Sequence, residues 1–558
     1  MDRRSFLTAA RRTNPPAPLV EPTAARTTSG VQPYQGPWTQ QEVVHLLKRT
    51  MFGARPADIT YFLGKSMTAA VEELLTPTAP LPSPPVKEYA ETNANTPDTD
   101  VPAGSTWVNS VNNDGTIQSR RRASLKKWWT GQQLHQDRSI REKMTLFWHN
   151  HFATEMVDVS NANFYYRHQQ LFRSQALGNV KQLVYDVTLD PAMLVYLNGR
   201  LNTATAPDEN YARELQELFT LGKENDPNYN EADVRAAARV LTGWRVNNND
   251  PSFPSFFTAS RHDTGNKQFS AFYNNTVITG RTGDQAGVQE INDLLNMIFA
   301  KSMEVSRYIV QRLYQFFVYS EIDATAHSLV IEPLAQTLRN SNWEIRPVLL
   351  QLFRSEHFFD VANRGAQIKS PLDHVIALCR EWGVVFPPAA EYGDAYGMWN
   401  YIQGVTITQQ QNIGDPPSVA GWPAFYQAPQ FYQLWVNADT LPKRNQFSDL
   451  MIGNGYTRNG KKIVIDAVAY TQGLVNPSDP NQLIREVTER IFLLPLSQQS
   501  RDQLKRDFLL TGQDSDHYWT NAWQTWLSSP TTTNYNIVNN RLRGLYKYLM
   551  NLAEYQLC

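Results

Sequence analysis

Apolar residues recur every three or four positions through most of this chain, which is the spacing of an amphipathic helix. The first clear case is the segment 39–50, where Val43, Val44, Leu46 and Leu47 define one apolar face. The same spacing returns along the chain and predicts a mainly α fold, a large multi-helical globular unit. The predicted helical segments are 39–50, 67–75, 117–177, 180–189, 209–221, 231–241, 288–299, 301–317, 326–340, 345–355, 372–382, 426–447 and 481–558.

The helical pattern is interrupted at several places. Residues 268–281 place aromatic and β-branched residues around two asparagines, which predicts a small β-hairpin insertion. Residues 454–466 predict a turn or a short hairpin, and residues 52–66 predict the connection of a helical hairpin. Residues 77–116 and 383–425 are rich in loop-forming residues and predict long loops, the first an insertion or a surface lid.

These changes of pattern divide the chain into three predicted parts. Residues 1–38 lack a repeat of apolar positions over most of their length and predict a flexible N-terminal segment. Residues 39–447 are the predicted helical domain, with residues 77–116 as its loop insertion. Residues 448–558 are predicted as a C-terminal helical extension that packs on this domain.

Composition narrows the classes of partner. The 558 residues are 41 % apolar, enough for a sizeable core, and 52 basic against 53 acidic residues leave a net charge of -1. Such a balance gives no general attraction for nucleic acid, so no nucleic-acid partner is predicted. No apolar run approaches the roughly 18 residues of a membrane-spanning helix. The two cysteines, Cys379 and Cys558, cannot supply a disulfide framework.

The N-terminus contains RRSFL at residues 3–7, which resembles a twin-arginine export motif. An export signal continues with about 7 to 15 apolar residues. Here Arg11 and Arg12 follow almost at once, so the apolar region is missing. The motif predicts the periplasm or cell envelope as the destination, with the cytoplasm as the alternative.

Residues 207–222, PDENYARELQELFTLG, concentrate charge on one predicted helix. Glu209, Arg213 and Glu217 are four residues apart and share roughly one helical face. In the structural interpretation Arg213 pairs with both glutamates on an ordinary helix. In the functional interpretation these side chains, with Asn210, support a polar site.

The segment FWHNHF at residues 147–152 supplies two histidines to the functional interpretation. His149 and His151, with Glu214 and Glu217, are candidate ligands of a divalent metal ion. The two imidazoles converge only if the backbone is extended or turning, because side chains two positions apart diverge on a helix. The alternative is a pair of core histidines with satisfied ring nitrogens.

The segment RHDTGNK at residues 261–267 is the third candidate component. His262 is a candidate general base, Asp263 can hold its tautomer or cap the turn, and Lys267 is a candidate anion holder. The alternative is a turn braced by local hydrogen bonds.

Three further residues are predicted to support the polar site. Trp422, in a proline-rich loop, is expected to plug that loop against the core more than to stack on a ligand. Arg444 could reach the same polar centre from the adjoining helix. Trp244 ends the segment YNEADVRAAARVLTGW and completes the set.

The sequence lacks the motifs of serine hydrolases, nucleotide-binding proteins and proteins with covalently attached haem. The chain has no GxSxG elbow, no phosphate-binding glycine loop and no CxxCH segment. No nucleotide, nicotinamide or covalent haem cofactor is therefore predicted, and a divalent metal ion is the only cofactor candidate.

The chain contains, in this order, the segments HLLKRTMFGARPADI, REKMTLFWHNHF, NGRLNTATAPDENYARELQELFTLG, YNEADVRAAARVLTGW, RHDTGNKQF, KSPLDHVIAL, NIGDPPSVAGWPAF, ADTLPKRNQF and YKYLMNLAEYQLC. Together they resemble the bacterial family called domain of unknown function 1800. The resemblance implies large, mainly helical proteins, often with a twin-arginine-like start and often encoded beside a sulfatase-like family, without an assigned reaction.

Two functions follow from these features. The first is an envelope-associated protein that binds, or is accessory to, a co-exported sulfatase-like partner or a surface glycan or polymer. The alternative is a metal-assisted hydrolase with a His/Glu/Asp site. Clustering of His149, Glu214 and His262 would favour the hydrolase.

Overall fold

The computed structural model describes residues 26–91, 95–222, 229–425 and 432–558. The RRSFL motif at residues 3–7 lies outside the described residues. Within them the chain is mainly α-helical, with small two-stranded hairpins and long loops, which confirms the predicted fold class.

Helices form most of the described chain. Their bounds are α1 Gln40–Thr50, α2 Pro56–Leu63, α3 Met67–Leu74, α4 Gly115–Leu134, α5 Arg141–His151, α6 Met156–Val159, α7 Ala162–Ser174, α8 Val180–Thr188, α9 Pro191–Tyr196, α10 Asn210–Glu217, α11 Glu231–Val240, α12 Ala286–Phe299, α13 Ser302–Phe317, α14 Ala324–Ala326, α15 Glu332–Asn340, α16 Ile345–Phe353, α17 Glu356–Phe359, α18 Pro371–Glu381, α19 Tyr392–Thr408, α20 Thr440–Ile452, α21 Ala467–Gln472, α22 Pro480–Ile491, α23 Gln498–Leu504, α24 His517–Ser528 and α25 Thr532–Asn551.

Three antiparallel hairpins complete the described regular structure, and two of them were predicted. The strands are β1 Trp244–Val246, β2 Ser255–Phe257, β3 Lys267–Gln268, β4 Val277–Ile278, β5 Tyr456–Arg458 and β6 Lys461–Ile463. The hairpin β3–β4 corresponds to the predicted segment 268–281 and begins one residue before it, and β5–β6 lies within the predicted segment 454–466. The hairpin β1–β2 was not predicted.

Local capping explains where several helices begin. Thr39 precedes α1 and shares a capping box with Glu42, which satisfies two backbone N–H groups at the helix start. Asn230 and Asp233 form the same arrangement at α11. Asp114 caps α4 by accepting from the backbone of Thr116 and Ile117.

Several predicted boundaries were wrong. The predicted connection at 52–66 contains α2, and the predicted loop at 383–425 contains the 17-residue helix α19. Helix α10 ends at Glu217, before the predicted residue 221. In the segment 426–447 helix α20 begins only at Thr440, and residues 426–431 lie outside the described residues.

One continuous core joins the described elements, from Val43 on α1 to Tyr555 after α25. Helix α19 packs along α4, and α22 packs against α1. Near the end of the chain, Ile368 pairs with Leu557 in an antiparallel bridge. The predicted division at residue 447 stays a prediction.

Residues 26–38 belong to the segment predicted as flexible, and they make defined contacts. Backbone bonds from Glu356 to Gln32 (2.8 Å) and from His357 to Gly30 (3.0 Å) hold this stretch against α17. Arg26 lies 3.6 Å above the ring of Tyr319. These contacts tie the stretch to the helical body.

No helix in the described part of the chain is long and apolar enough to cross a lipid bilayer.

Candidate functional site

His149 and His151 lie on α5, and their side chains leave the helix in different directions. The rings of Trp129 and Trp422 surround His149, with centroids 5.1 and 5.5 Å away. His151 Nε2 donates a hydrogen bond to the Phe219 carbonyl oxygen at 3.1 Å. Because α5 is a helix at these positions, the two imidazoles diverge and do not converge on a shared ligand.

Burial keeps both imidazoles neutral. It lowers the pKa of His149 to about 3, with the charges of His168 and Lys126 adding to the effect. Burial also lowers the pKa of His151 to about 3, an effect that Arg312 reinforces and the Phe219 hydrogen bond opposes. His151 therefore resembles a core histidine. His149 differs, because its Nδ1 lies 3.4 Å from the Tyr165 hydroxyl and its buried Nε2 has no hydrogen-bond partner among the described residues.

The acidic helix α10 uses its arginine as an ion-pair partner. Arg213 binds both carboxylate oxygens of Glu231 at 2.7 Å and lies 3.2 Å from Glu209. The Glu231 hydrogen bonds, with the charges of Glu209 and Glu217, hold the pKa of Arg213 above its ordinary value. The partner Glu231, on α11, was not predicted.

The remaining candidates on α10 lie on its accessible surface. Glu214 and Glu217 are half-buried, and Asn210 is exposed at the first position of the helix. Among the described residues, no group of three or more His, Cys, Asp or Glu side chains is arranged to hold a metal ion. The predicted metal site therefore gains no geometric support from this part of the chain.

His262 and Lys267 meet on a buried carboxylate that the sequence analysis did not single out. Lys267 Nζ lies 2.6 Å from one oxygen of Glu290, and His262 Nε2 lies 3.1 Å from the other. All three side chains are buried. Burial raises the pKa of Glu290, but the His262 and Lys267 contacts outweigh it and hold the value below the ordinary one.

Asp263 has a different partner from its neighbours. Arg239 binds its two carboxylate oxygens at 2.6 and 3.0 Å, and the Gly265 backbone N–H donates to it at 2.8 Å. Asp263 therefore caps the turn, one of its two predicted roles. His262 Nδ1 donates to the Thr242 carbonyl oxygen at 2.9 Å, and the Thr242 hydroxyl lies 3.1 Å from the same nitrogen.

The supporting residues lie in three places. Trp422 is buried against His149, and its backbone N–H donates to Asn150 Oδ1 at 2.7 Å. Trp244 is buried on β1, with its ring 5.4 Å from that of Phe257. Arg444 is buried on α20, where it donates to the Lys369 carbonyl oxygen at 2.8 Å.

A glycine permits the close approach of the Trp422 loop to α5. Gly421 has φ +81°, and a Cβ atom there would lie 2.3 Å from Asn150 Oδ1. The loop therefore lies directly against the last turn of α5, with Trp422 buried.

A sequence signal for Glu290 existed. Gly287, Ile291 and Leu294 form part of the buried face of α12, and Glu290 occupies the same face. An acidic residue on an apolar helical face needs a buried cationic partner. That signal indicates that Glu290 forms a buried ion pair. It does not identify the cation in the pair.

A separate feature lies on the surface of α24 and α25. Residues 517–540 contain no Lys, Arg, Asp or Glu, and we call this stretch the uncharged helical hairpin. At the overall charged fraction of 19 %, its 24 residues would carry about five charges. Protein surfaces are usually about a quarter or more charged, so this depletion is unusual.

The uncharged helical hairpin is held firmly and still exposes apolar groups. Trp519 and Trp523 pack inward, and the indole of Trp519 donates to the Pro477 carbonyl oxygen at 2.8 Å. Outward, Tyr518 is 46 % and Leu527 is 55 % exposed. Depletion of charge together with exposed aromatic and aliphatic groups is typical of the centre of a protein interface.

Comparison with known proteins identifies a family and nothing finer. No curated protein and no solved structure matches the chain. One family description matches residues 45–557, which include every predicted site residue and the uncharged helical hairpin. The chain therefore belongs to the family described as protein of unknown function (DUF1800).

Proposed function

We propose that this chain is a non-catalytic accessory protein of the bacterial cell envelope, and that it binds a protein partner through the uncharged helical hairpin. The observation that carries the proposal is the absence of charge from residues 517–540 combined with the exposure of Tyr518 and Leu527. Ile537, on α25, is a third exposed apolar side chain of the hairpin, with 43 % of its surface accessible.

The engagement of the predicted catalytic side chains supports a binding role. His262 and Lys267 bind Glu290 in the interior, and Asp263 binds Arg239. All three candidate side chains therefore have protein partners, and His262 and Lys267 are buried away from solvent. His149 and His151 are neutral and buried, which suits packing better than proton transfer near neutral pH.

The partner class follows from the exposed groups. Leu527 and Ile537 are aliphatic, and aliphatic side chains pack against protein better than they bind a sugar ring. The family resemblance implies a sulfatase-like protein encoded nearby, and this is the partner we propose. A surface glycan, stacking on the exposed ring of Tyr518, is the alternative ligand.

Titration calorimetry with the sulfatase-like protein encoded beside this chain tests the proposal. The double variant Tyr518→Glu/Leu527→Glu places two charges in the contact and should weaken binding at least about 25-fold, because truncating or charging an interface centre costs about 2 kcal/mol or more. The matched control Val157→Glu/Val385→Glu charges two other exposed apolar positions and should bind within about twofold of the parent.

Three results would overturn the proposal. The first is that the parent does not bind the sulfatase-like protein, and the second is that both double variants weaken this binding equally. The third is that the parent binds members of a glycan panel in place of the protein. Light scattering of the parent alone separates self-association from partner binding.

Elemental analysis tests the alternative, a metal-assisted hydrolase. The protein should contain no stoichiometric divalent metal, and the His149→Ala/Glu214→Ala variant should give the same result. A metal that is present in the parent and lost from the folded variant would restore the hydrolase hypothesis.

A further inference from the structure

A small, largely enclosed cavity lies where α1, α5 and the start of α18 meet the end of the chain. Its volume is about 20 Å³, enough for one water-sized group and too small for a sugar ring. Its polar wall contains Lys48, Arg49, Lys143, Gln367, Asp373 and Cys558, and we call it the basic cavity. Phe316 and Trp435 form part of the apolar wall.

Two of the cations in this wall are paired with carboxylates. Lys143 Nζ binds Asp373, and Ser370 also donates to Asp373 at 2.9 Å. Lys48 Nζ lies 2.7 Å from Glu381. These two pairs use both carboxylates of the region.

Three further cations have no equivalent partner. Arg49 lines the cavity, and Arg444 donates to the Lys369 carbonyl oxygen behind it. In the described part of the chain no carboxylate lies within ion-pair distance of Arg49 or Arg444. Lys369 Nζ reaches Glu381 only at 3.9 Å. The cavity is therefore surrounded by more positive than negative charge.

The same three side chains have nitrogen atoms without hydrogen-bond partners. These are Arg49 Nε, Lys369 Nζ and Arg444 Nε, all buried among the described residues. Arg49 satisfies its other nitrogens through Gln367 Oε1 at 2.6 Å and the Val318 carbonyl oxygen at 3.1 Å. A buried cation without a counter-charge is costly, so an anion beside these groups would stabilise the fold.

Burial changes the titration of two of these cations. It lowers the pKa of Lys369 to about 7, with the charge of Lys48 adding to the effect and Glu381 opposing it. It also lowers the pKa of Arg444 to about 10, an effect that Cys558 and Asp373 oppose. Both changes show that removal from water disfavours the charged forms of these buried groups.

We propose that the basic cavity is a binding site for a monovalent anion of about the size of a water molecule, such as chloride. The cavity volume sets the size. The sign of the charge follows from the described wall, which contains the cations Lys48, Arg49 and Lys143 and the carboxylate of Asp373, and from Arg49 Nε, which has no hydrogen-bond partner. Sulfate and phosphate, each with four oxygens around a central atom, are too large for the volume. The site is independent of the uncharged helical hairpin.

Thermal unfolding of the intact protein at constant ionic strength tests the site. Replacing sodium gluconate with sodium chloride or bromide should raise Tm along a saturable curve, because a ligand that binds only the folded state stabilises it by mass action. Sulfate stabilises folded proteins generally because it is excluded from their surface, so it should raise Tm in proportion to its concentration and without saturation. Equal effects of all four salts would mean a general salt effect and would overturn the proposal.

Two variants assign the effect to the cavity. Arg49→Gln should weaken the apparent halide affinity at least about tenfold, which is the loss expected on removing one neighbouring charge. Arg245→Gln, on the exposed strand β1, is the matched control and should retain the parent affinity. Circular dichroism checks that both variants fold.

A bromide-soaked crystal of the parent provides a readout that does not depend on any variant. Anomalous density in the basic cavity, within hydrogen-bond distance of Arg49, is the expected result. An empty cavity at a bromide concentration that saturates the Tm curve would overturn the assignment. This test uses the parent protein, so it still decides the matter if the Arg49→Gln variant does not fold.

Discussion

Buried charges in this protein are neutralised to very different degrees. Arg121 binds both oxygens of Asp98 at 2.9 Å, and Arg173 binds Glu142 at 2.6 and 3.0 Å. Such two-bond pairs are the strong form of a buried ion pair. Lys369 is the opposite case. Among the residues that the structure describes, its ammonium group contacts the face of Tyr555, 3.9 Å away, and the carboxylate of Glu381 at the same distance.

Lys369 predicts a stability that rises with pH. Its pKa is about 7 in the fold against an ordinary value of 10.5, so the unfolded chain binds more protons between these two values. The destabilisation is complete below pH 7 and disappears as pH rises towards 10.5. Lys369→Met should remove this slope and raise the free energy of unfolding at pH 7 by about 3 to 5 kcal/mol.

Urea unfolding of parent and variant at several pH values in chloride-free buffer measures this difference. Lys48, Arg444, Glu381, Asp373 and Cys558 surround the group and remain in both proteins. If the free energy of unfolding changes with pH in the same way in both proteins, the pH dependence does not come from Lys369.

At the residue scale, the sequence predicted contacts within one segment and missed those between segments. His262 and Lys267 share a loop, so their proximity could be predicted. Their common partner Glu290 lies 23 residues beyond Lys267 on α12. Which buried cation meets which buried acid depends on how helices pack, and a single sequence does not contain that information.

At the element scale, the contact between α4 and α19 depends on a glycine. Gly131 lies on α4, and a Cβ atom there would be 2.7 Å from the ring of Trp399 on α19. Gly131→Ala should therefore destabilise the protein by about 1 to 3 kcal/mol, although alanine favours a helix. Urea unfolding measures the change.

Gly404, on α19 itself, is the matched comparison. A Cβ atom there meets nothing within 4 Å, so Gly404→Ala should stabilise the protein by about 0.5 to 1 kcal/mol through helix propensity. Effects of the same sign at both positions would mean that packing against Trp399 does not decide the result.

Helix α19 also explains where the element predictions were wrong. Its residues include Gly393, Gly397 and Gly404, which lower intrinsic helix propensity. Packing along α4 compensates for this, because Met398 and Ile402 are fully buried. Long helices with strong apolar spacing were predicted well, whereas helices that depend on tertiary packing were missed.

At the scale of the whole molecule, the single core predicts that residues 1–447 do not fold without the remainder. Lys48 Nζ donates to the Ile491 carbonyl oxygen at 2.9 Å. The backbone N–H of Lys369 donates to the Gln556 carbonyl oxygen at 2.7 Å. Trp382 donates to Tyr555 at 3.2 Å. A fragment of residues 1–447 leaves these groups unpaired and exposes core surface.

Circular dichroism and thermal unfolding of that fragment give the readout. We expect reduced helicity and no cooperative transition. A cooperative transition near that of the full chain would instead establish residues 448–558 as a separable extension.

The position of Cys558 beside Arg49 has a consequence for synthesis on the ribosome. The two residues are 509 positions apart in the chain, and their atoms lie 3.9 Å apart in the fold. At about 5 to 20 residues per second, Arg49 is synthesised roughly 25 to 100 s before Cys558. The part of the basic cavity that Cys558 supplies is therefore completed only after residue 558 has been translated.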